Sequence, residues 1–438
     1  MTKYKSNPSN LFIFETIEGV IPMVKLLIIA DDFTGAFDTG VQFAARGAVT
    51  TVVTDPDYDY KSADETVEVL VMVAETRHLT AGEAYDIVYR TAANALQAGI
   101  DCIYKKTDSA LRGNAGSEIA ALMDAAGADS LPLIPAFPKL GRTTKAGIQY
   151  IDGVPVAESV FGRDPFEPVL DSAVADILGR KTDVPVVVRS PGDTGTARGI
   201  QVYDGETDGE LLNIGRTLGK SGLKLSAGCA GFAEVLAEIL GLKGEVPVLP
   251  RLKKTLFMYC GSVNPVTLAQ MKKGDEYGFP HVHLNPVQKL EGSWAESEAA
   301  GKCIRRWLET AAEKKQFILD VNDPEGISDT DDYARKHKLG LEDMRLRISD
   351  NMALIMKRTL DSGLDATLMC TGGDTLHGFM KRIGVRELRP ICEMATGVVL
   401  TEFVYKDRHY HIISKSGGFG EPDLLVRLWE KLQGAENK

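Results

Sequence analysis

Two adjacent carboxylates directly follow a run of apolar residues near the start of the chain. Residues 26–30 read Leu-Leu-Ile-Ile-Ala and lead into Asp31 and Asp32, which precede Phe-Thr-Gly. Ligands of open α/β sheets bind at the carboxyl ends of the strands. Two acids at such a place can bind a cation, accept a proton from a hydroxyl group or orient a polyol. One Asp could simply cap the following helix, but a cap needs a single residue, so the pair predicts a site.

A second polar group follows another apolar stretch, between residues 104 and 113. Arginine binds carboxylates through its planar fork, lysine is a compact positive charge, and Ser, Thr and Asp bind hydroxyl groups. Arg77 follows the apolar run 67–73, and Arg142 lies in an irregular segment rich in Pro, Gly, Arg and Thr. These residue types together suit a small hydroxylated carboxylic acid. The members of the second group are Lys106, Thr107, Asp108, Ser109 and Arg112.

Three glycine-centred segments in the second half of the chain each follow an apolar run. Glycine allows backbone N–H groups to approach an anion, and the N-terminus of a following helix adds a favourable dipole. One such segment is an ordinary turn in most proteins, but three predict a phosphate-rich ligand. None of them matches the GxxxxGK[ST] or GxGxxG motif, which argues against a P-loop enzyme and a standard dehydrogenase. The segments are Gly261-Ser262, Gly372-Gly373-Asp374-Thr375 and Ser416-Gly417-Gly418.

Strand-like and helix-like segments alternate along the chain, which predicts mainly parallel sheets covered by helices. A connector that contains Gly, Pro and Lys, at residues 241–254, is the best domain boundary. We therefore predict an N-terminal extension (1–22), one α/β domain (23–240) and a second (255–438), with the active site in the cleft between them. The predicted strands are 24–30, 49–54, 67–73, 101–106, 131–135, 185–189, 255–260, 316–320, 366–370, 397–400 and 410–414; the predicted helices are 36–47, 81–98, 116–126, 264–273, 294–313, 342–361, 374–383 and 422–433. Residues 135–170 are predicted to form a long functional loop or an extra hairpin.

Composition excludes several classes of protein. The net charge of −11 argues against a nucleic-acid partner, because phosphate backbones need a basic face. No apolar stretch approaches the ~20 residues that span a membrane. Six scattered cysteines without a CxxC pair predict reduced thiols and a cytoplasmic enzyme. His281 and His283 are close in sequence, but no acid or cysteine pattern completes a zinc site.

Several of these motifs occur in one order that resembles the four-carbon acid sugar kinase family. The resemblance covers nearly all of residues 23–430 and is more specific than any single loop. The segments that carry it are 31–35, 106–113, 135–138, 141–144, 147–156, 371–375 and 416–420.

The resemblance implies a substrate-binding first domain and a nucleotide-binding second domain that use ATP and Mg²⁺ to phosphorylate the terminal hydroxyl of a tetronate. The continuation Asp38-Thr39-Gly40 is most similar to members that act on D-threonate. D-erythronate and oxo-tetronates are the alternative substrates. The implied substrate contacts are Asp32, Arg77, Lys106, Thr107, Asp108 and Ser109, and the implied ATP contacts are Ser262, Gly372, Gly373, Asp374, Thr375 and Gly418; the residues alone add Arg112, Arg142 and Gly417.

In the mechanism that we expect, Arg77 binds the carboxylate of the acid sugar and Asp32 accepts or orients the proton of its terminal hydroxyl, with Asp31 as the alternate base. Asp374 is a rival base, because Gly372-Gly373-Asp374 resembles the glycine–aspartate anion hole of other sugar kinases. Closure across the 241–254 connector would exclude water. A dinucleotide-dependent oxidoreductase and a non-catalytic acid-sugar sensor are the other functional classes. We also expect a homodimer.

Overall fold

The computed structural model describes residues 24–164, 167–195 and 197–434, so the predicted extension 1–22 lies outside the described residues. The strands are β1 (Leu26–Ala30), β2 (Thr50–Val53), β3 (Val69–Val73), β4 (Ile103–Lys106), β5 (Ser130–Ile134), β6 (Arg142–Lys145), β7 (Ile148–Ile151), β8 (Val154–Pro155), β9 (Val186–Arg189), β10 (Gly199–Tyr203), β11 (Leu225–Gly228), β12 (Leu256–Cys260), β13 (His281–His283), β14 (Gln316–Asp320), β15 (Thr367–Thr371), β16 (Glu387–Ala395), β17 (Val398–Tyr405) and β18 (Arg408–Lys415). The helices are α1 (Phe33–Ala44), α2 (Ala81–Gln97), α3 (Ala115–Ala126), α4 (Val174–Gly179), α5 (Asp208–Gly222), α6 (Ala230–Leu240), α7 (Pro265–Glu276), α8 (Pro286–Leu290), α9 (Gly292–Glu296), α10 (Glu298–Lys314), α11 (Asp329–His337), α12 (Leu341–Asp361), α13 (Gly373–Ile383) and α14 (Leu424–Gln433).

The prediction of two α/β domains with mainly parallel sheets is confirmed. In the first half β1 pairs in parallel with β3 and β4, and in the second half β12 pairs in parallel with β14 and β15. Each of these central strands is a short apolar run that is buried along its whole length, as is usual for parallel strands covered on both faces.

The two sheets are joined edge to edge, which the sequence did not indicate. The order is β13-β14-β12-β15-β18-β17-β16-β2-β3-β1-β4-β11-β5-β10-β9, and the joint is an antiparallel pair in which Leu388 of β16 faces Val52 of β2. One apolar cluster runs across the joint, since it contains Phe37 from the first half and Phe379 and Phe403 from the second. The halves therefore share a core as well as a sheet.

The segment predicted as a long loop or extra hairpin contains a separate three-stranded antiparallel sheet, β6-β7-β8. It is tied to the main sheet by a bridge between Thr144 and Gly205. This small sheet places Arg142 on its first strand.

Parallel strands of each half end at a common edge. The residues after β1, β3 and β4 are those that the sequence predicted as the substrate site, and the residues after β12, β15 and β18 are the glycine segments. Both predicted sites therefore lie at carboxyl edges, where α/β sheets bind ligands. Among the described residues, no helix is both long and apolar enough to cross a membrane.

Candidate active site

The two adjacent aspartates have different contacts: Asp32 caps a helix, and Asp31 pairs with cations. Asp32 is the N-cap of α1, and its Oδ1 accepts the N–H of Gly35 at 3.0 Å. The same Oδ1 lies 2.8 Å from Nη2 of Arg77, and the side chain of Asp32 is 21% exposed. The cap is therefore real, but it uses one carboxylate oxygen and leaves the residue within reach of a ligand.

Asp31 is enclosed by cations. Its Oδ2 accepts hydrogen bonds from Nε and Nη2 of Arg77 at 2.9 and 2.7 Å, and its Oδ1 lies 3.5 Å from Nζ of Lys106. Burial alone would raise the pKa of Asp31, but Arg77, Lys106 and Lys105 outweigh it, and the pKa falls to about 2. Asp31 is therefore a poor proton acceptor and a good anchor for the two cations.

Asp108 and Arg112 form a second ion pair beside the first. Nε of Arg112 donates to Oδ2 of Asp108 at 2.9 Å, its Nη1 contacts Asp164 at 3.1 Å, and Arg77 approaches Asp108 at 3.6 Å. Burial of Asp108 is outweighed by Arg112 and Arg77, so the pKa of this carboxyl lies well below its usual range. We call the six groups thus linked the charge cluster: Asp31, Asp32, Arg77, Lys106, Asp108 and Arg112.

The other residues predicted for the substrate lie around the charge cluster. The hydroxyl of Thr107 is buried and has no hydrogen-bond partner in the described part of the chain. The carbonyl oxygen of Ser109 accepts a hydrogen bond from Gln149 of β7 at 2.8 Å. Arg142 and Arg112 lie against the ring of Phe161, at 5.9 and 5.0 Å, and Nε of Arg142 is buried without a hydrogen-bond partner in the described residues. Two of these residues thus offer an unused polar atom.

Gly35 is required by the position of Lys106. A Cβ added to Gly35 would lie 2.5 Å from Nζ of Lys106 and 2.4 Å from Oδ1 of Asp32. The ammonium group of Lys106 therefore lies against the first turn of α1. A larger residue at position 35 would displace the two groups that the sequence assigned to the substrate.

The three glycine segments of the second half touch one another, and we call them the glycine loops (261–264, 372–375 and 416–420). A Cβ on Gly261 would meet Oγ1 of Thr375 at 2.0 Å, and a Cβ on Gly417 would meet Oγ of Ser262 at 2.5 Å. Gly372 has φ +96°, a conformation that favours glycine. The structure thus brings all the predicted nucleotide residues to one place, because Gly418, Gly373 and Asp374 belong to the same loops.

Two features of these loops suit an anion. Gly372 is the N-cap of α13 and provides no side chain, so the first N–H groups of this helix have no side-chain cap. The hydroxyl of Thr371, at the end of β15, is fully buried and has no hydrogen-bond partner among the described residues.

The first turn of α1, which follows Asp32 of the charge cluster, meets the glycine loops across the domain boundary. A Cβ on Gly373 would lie 2.7 Å from Oγ1 of Thr34, in the first turn of α1. One turn further along α13, the ring of His377 stacks on Phe33 at 5.3 Å. The N-termini of α1 and α13 therefore face each other. Beside them is a cleft of about 450 Å³ lined by Arg77 and Arg112 from the first half and by Glu342 and Arg345 from the second, among others.

Sequence reasoning missed Glu75, a residue on which the charges of both predicted bases, Asp32 and Asp374, act. Its φ of +49° is unusual for a residue other than glycine, and its Oε1 is buried without a hydrogen-bond partner among the residues that the structure describes. Burial, followed by the charges of Asp32 and Asp374, raises the pKa of Glu75 to about 8. The available signal was its position two residues before Arg77, directly after the β3 run.

Arg345 of α12 was also missed. Its Nη1 donates to Oδ2 of Asp374 at 2.6 Å, so one oxygen of the rival base is already engaged. The sequence around Arg345 does not indicate this contact, because Arg345 lies in the second turn of an ordinary amphipathic helix.

An acidic residue that is distant in sequence, Asp320, lies beside His281 and His283 in the structure. His281, His283 and Asp320 bring their ligand atoms within 4.8 Å of one another. Both ring nitrogens of His281 already contact carboxylates, at 2.8 Å from Asp275 and 3.2 Å from Asp320. The acid that completes the group comes from β14, and its proximity depends on the pairing of β13 with β14.

Two family models match consecutive parts of the chain. A sugar-binding N-terminal domain matches residues 26–236, and a nucleotide-binding C-terminal domain matches residues 257–425. The chain is 26% identical to a D-threonate kinase of Salmonella typhimurium over 92% of its length and 97% of the relative. It is 29% identical to a D-erythronate kinase of Heliobacterium modesticaldum, over 80% of this chain and 84% of that one. The chain belongs to the four-carbon acid sugar kinase family.

The chain is also similar to relatives named for a third substrate. A 3-oxo-tetronate kinase of Cupriavidus necator is 26% identical over 93% of this chain and 96% of its own. Solved structures agree on the fold. A Salmonella typhimurium structure has a TM-score of 0.77 at 20% identity and covers 93% of this chain and 99% of its own. A Haemophilus influenzae structure has a TM-score of 0.70 at 21% identity, with the same coverage.

Proposed function

We propose that the protein is an ATP-dependent kinase that phosphorylates the terminal (4-) hydroxyl of a four-carbon acid sugar, with D-threonate as the preferred substrate. The observation that carries the proposal is the contact between Thr34, in the first turn of α1 next to the charge cluster, and Gly373 of the glycine loops. Relatives named for D-threonate, D-erythronate and 3-oxo-tetronate support the substrate class. Membership of this family does not favour the dinucleotide-dependent oxidoreductase.

Asp32 is the proposed general base. Phosphoryl transfer depends mainly on positioning and charge neutralisation, with one group that orients or deprotonates the nucleophile. Asp31 is engaged at both carboxylate oxygens, and Oδ2 of Asp374 is held by Arg345. In the described part of the chain, Asp32 contacts Gly35 and Arg77 through Oδ1. Asp32 thus combines a fixed position with an oxygen that can take a proton from the substrate.

The positive groups of the charge cluster are proposed to bind the acid sugar. Lys106 is the last residue of β4 and Arg77 follows β3, and these two strands flank β1 in the sheet. Arg77 also lines the cleft between the halves. The buried hydroxyl of Thr107 and the buried Nε of Arg142 are unused polar atoms that suit hydroxyl or carboxylate oxygens. Asp108 and Ser109 complete the proposed substrate contacts.

The residues present also fit ATP and Mg²⁺. The uncapped N-terminus of α13 and the buried hydroxyl of Thr371 suit phosphate oxygens. Glu75 has a buried Oε1 without a hydrogen-bond partner among the described residues, and the charges of Asp32 and Asp374 act on it. Loss of its proton would let it bind Mg²⁺, which binds carboxylates together with phosphates. We therefore assign Glu75 and Asp374 as the groups that would hold the metal, which neutralises phosphate charge when it is bound.

The test is ADP release from the purified protein with ATP and Mg²⁺, against D-threonate, D-erythronate, their L-forms and oxo-tetronates. We expect fast turnover of D-threonate and slower turnover of the others. Turnover of a different tetronate would change the substrate within the proposal. No turnover of any acid, with ADP binding intact, would overturn the assignment of the substrate class.

A further inference from the structure

A buried lysine that the substrate and nucleotide assignments do not use lies inside the glycine loops. Lys415 is the last residue of β18 and is 1% exposed. Its Nζ donates to the carbonyl oxygens of Ser416 and Gly417, both at 3.0 Å, and to Oγ1 of Thr267 at 2.9 Å. A fully buried ammonium group is costly unless it is well paired. Here it is paired entirely with neutral oxygen atoms.

The same face of the loop is held from α7. Thr267, which is fully buried, donates from Oγ1 to the carbonyl oxygen of Gly417 at 2.8 Å. Gln270, also buried, donates from Nε2 to the carbonyl oxygens of Phe419, Gly420 and Glu421, each at 3.0 Å. Five carbonyl groups between residues 416 and 421 are therefore bound to Lys415 and α7 together.

The opposite face of the loop carries N–H groups. In the described part of the chain the backbone N–H groups of Gly417 and Gly418 donate to no acceptor. Successive N–H groups that point away from bound carbonyls form a concave anion site of the kind that binds phosphates. The hydroxyl of Ser262 borders the same loop, since a Cβ on Gly417 would reach it at 2.5 Å.

We infer that Lys415 is a positioning residue for the nucleotide: it holds the carbonyl face of the 416–421 loop against α7, turns the N–H groups of Gly417 and Gly418 towards the ATP phosphates, and places a positive charge behind them. This role rests on the proposed function, because it presumes that the glycine loops bind ATP. It assigns a task to Lys415, Thr267 and Gln270, none of which the sequence motifs had singled out.

The charge of Lys415 makes the inference testable by pH. Burial lowers the pKa of Lys415 to about 8, whereas that of an ordinary lysine is 10.5. The titratable side chain that acts on it is the Cys260 thiol on β12, and burial raises the pKa of that thiol so far that it stays neutral. The contacts from α7 and from the loop itself are a hydroxyl and carbonyls, which do not titrate in this range.

The first experiment measures ADP binding to the wild-type protein by calorimetry from pH 6.5 to 10, without any acid sugar. Because the phosphates of ADP are already ionised above about pH 7, the affinity should fall above about pH 8, by up to about tenfold per pH unit. Lys415→Arg should keep most of the affinity and lose this pH dependence. A wild-type affinity that stays flat to pH 10 would overturn the role of the charge.

The second experiment removes single contacts. We expect Lys415→Met to weaken ADP binding about tenfold or more, because it removes the positive charge behind the loop and the contacts that hold its carbonyl groups. The KM for ATP should rise with little change in the KM for the acid. Thr267→Val should act in the same direction without altering the charge. Thr367→Val is the matched control, because Thr367 is a buried threonine of the same domain that donates to the carbonyl of Lys253 at 2.8 Å, at the opposite end of β15.

The outcomes separate the two proposals. If ADP binds the wild-type protein but Lys415→Met and Thr267→Val bind it equally well, the positioning role is wrong and the kinase assignment stands. If Lys415→Met does not fold, Thr267→Val and the wild-type pH profile decide. If ADP binding responds as expected but no tetronate is phosphorylated, the positioning role stands and the substrate is wrong. Failure of the wild-type protein to bind ADP would overturn both.

Discussion

The two halves of the candidate site differ in the chemical groups that they present: charged side chains in the first half, and backbone N–H groups and hydroxyls in the second. In the first half, charged side chains hold one another: Asp31, Arg77 and Lys106 are almost completely buried and are paired at 2.7 to 3.5 Å. In the second half, the groups offered to a ligand are backbone N–H groups and hydroxyls on glycine loops. A small acid with several hydroxyls needs directional side chains, whereas phosphates of any nucleotide can be held by backbone and dipole. The comparison predicts that substrate specificity belongs to the first half.

The largest effect should come from the proposed general base, which lies in the first half. Asp32→Asn should lower kcat by about 10²–10⁴-fold, the usual contribution of a general base, while tetronate binding changes little. Asn is as good an N-cap as Asp, so α1 should keep its start. Single-turnover phosphorylation and calorimetric titration with the acid would measure the two quantities.

Two controls sharpen this result. Asp59→Asn changes an exposed N-cap aspartate whose side chain accepts from Lys61 N–H at 3.0 Å, and kcat should be unaffected. Asp374→Asn tests the rival base and should cost less than Asp32→Asn. Because Asp374 is also proposed to hold the metal, only a larger loss in Asp374→Asn that saturating Mg²⁺ does not restore would move the base to the second half.

The next prediction tests whether a substitution in one half of the site affects only the ligand proposed for that half. Gly35→Ala places a Cβ 2.5 Å from Nζ of Lys106, and Gly417→Ala places one 2.5 Å from Oγ of Ser262. Overpacking costs about 1–3 kcal/mol, or roughly 10–100-fold in affinity. The first variant should lose affinity for the acid and keep ADP binding, and the second should do the reverse.

Gly82→Ala is the matched control for both variants, because nothing lies within 4 Å of a Cβ at that position. Its affinities for the acid and for ADP should equal those of the wild-type protein. Equal losses of both ligands in either glycine variant would show that the two halves of the site are not separable.

What the sequence could predict follows the same division. Asp31, Asp32, Lys106 and the glycine loops were predictable because each follows an apolar strand directly, so that local sequence places it at the carboxyl edge. Glu75 follows a strand too, but a single acid there gives no pattern to distinguish it from a turn residue. Lys415 directly precedes the Ser416-Gly417-Gly418 segment, but its burial depends on contacts with α7, about 150 residues away.

The fold shows the same limit. The two α/β halves followed from alternation of segments, but the joint between β2 and β16 is set by only two residue pairs. β16 was not predicted, because its alternating burial is weak and it contains a proline. The predicted helix 294–313 is two helices, α9 and α10, because Ser297 caps α10 through the N–H of Ala300 at 3.1 Å. Elements between 199 and 240 were also missed.

A third prediction asks whether the charges of the first half also stabilise the fold. The pKa of Asp31 is about 2 when folded and 3.8 ordinarily, so its contribution is present above about pH 4 and is lost as the pH falls towards 2. The loss is about 2 kcal/mol. Urea unfolding at pH 7, 4, 3 and 2 would measure it.

Asp31→Asn is the variant that isolates this effect. It should be less stable than the wild-type protein at pH 7, because Arg77 loses a buried partner, and it should lose less free energy of unfolding between pH 4 and pH 2. Identical pH dependence in the two proteins would show that Asp31 does not carry the acid sensitivity.

The smallest expected effect concerns the residue between the halves. Glu75 is proposed to help hold Mg²⁺ between the charge cluster and the phosphates. Glu75→Gln should therefore weaken Mg²⁺ binding to the ADP complex at least roughly tenfold, which is the lower bound for loss of groups around a metal site. Calorimetric titration of the ADP-bound protein with Mg²⁺ would measure this, and ADP affinity without metal should be unchanged. Asp55→Asn is the matched control, because Asp55 lines the same neighbouring cavity as Glu75 but pairs with Arg386 at 3.1 Å. Unaltered Mg²⁺ affinity in Glu75→Gln would show that Glu75 does not hold the metal. The proposed metal site would then consist of residues of the second half, and the two halves would not share a ligand-binding task.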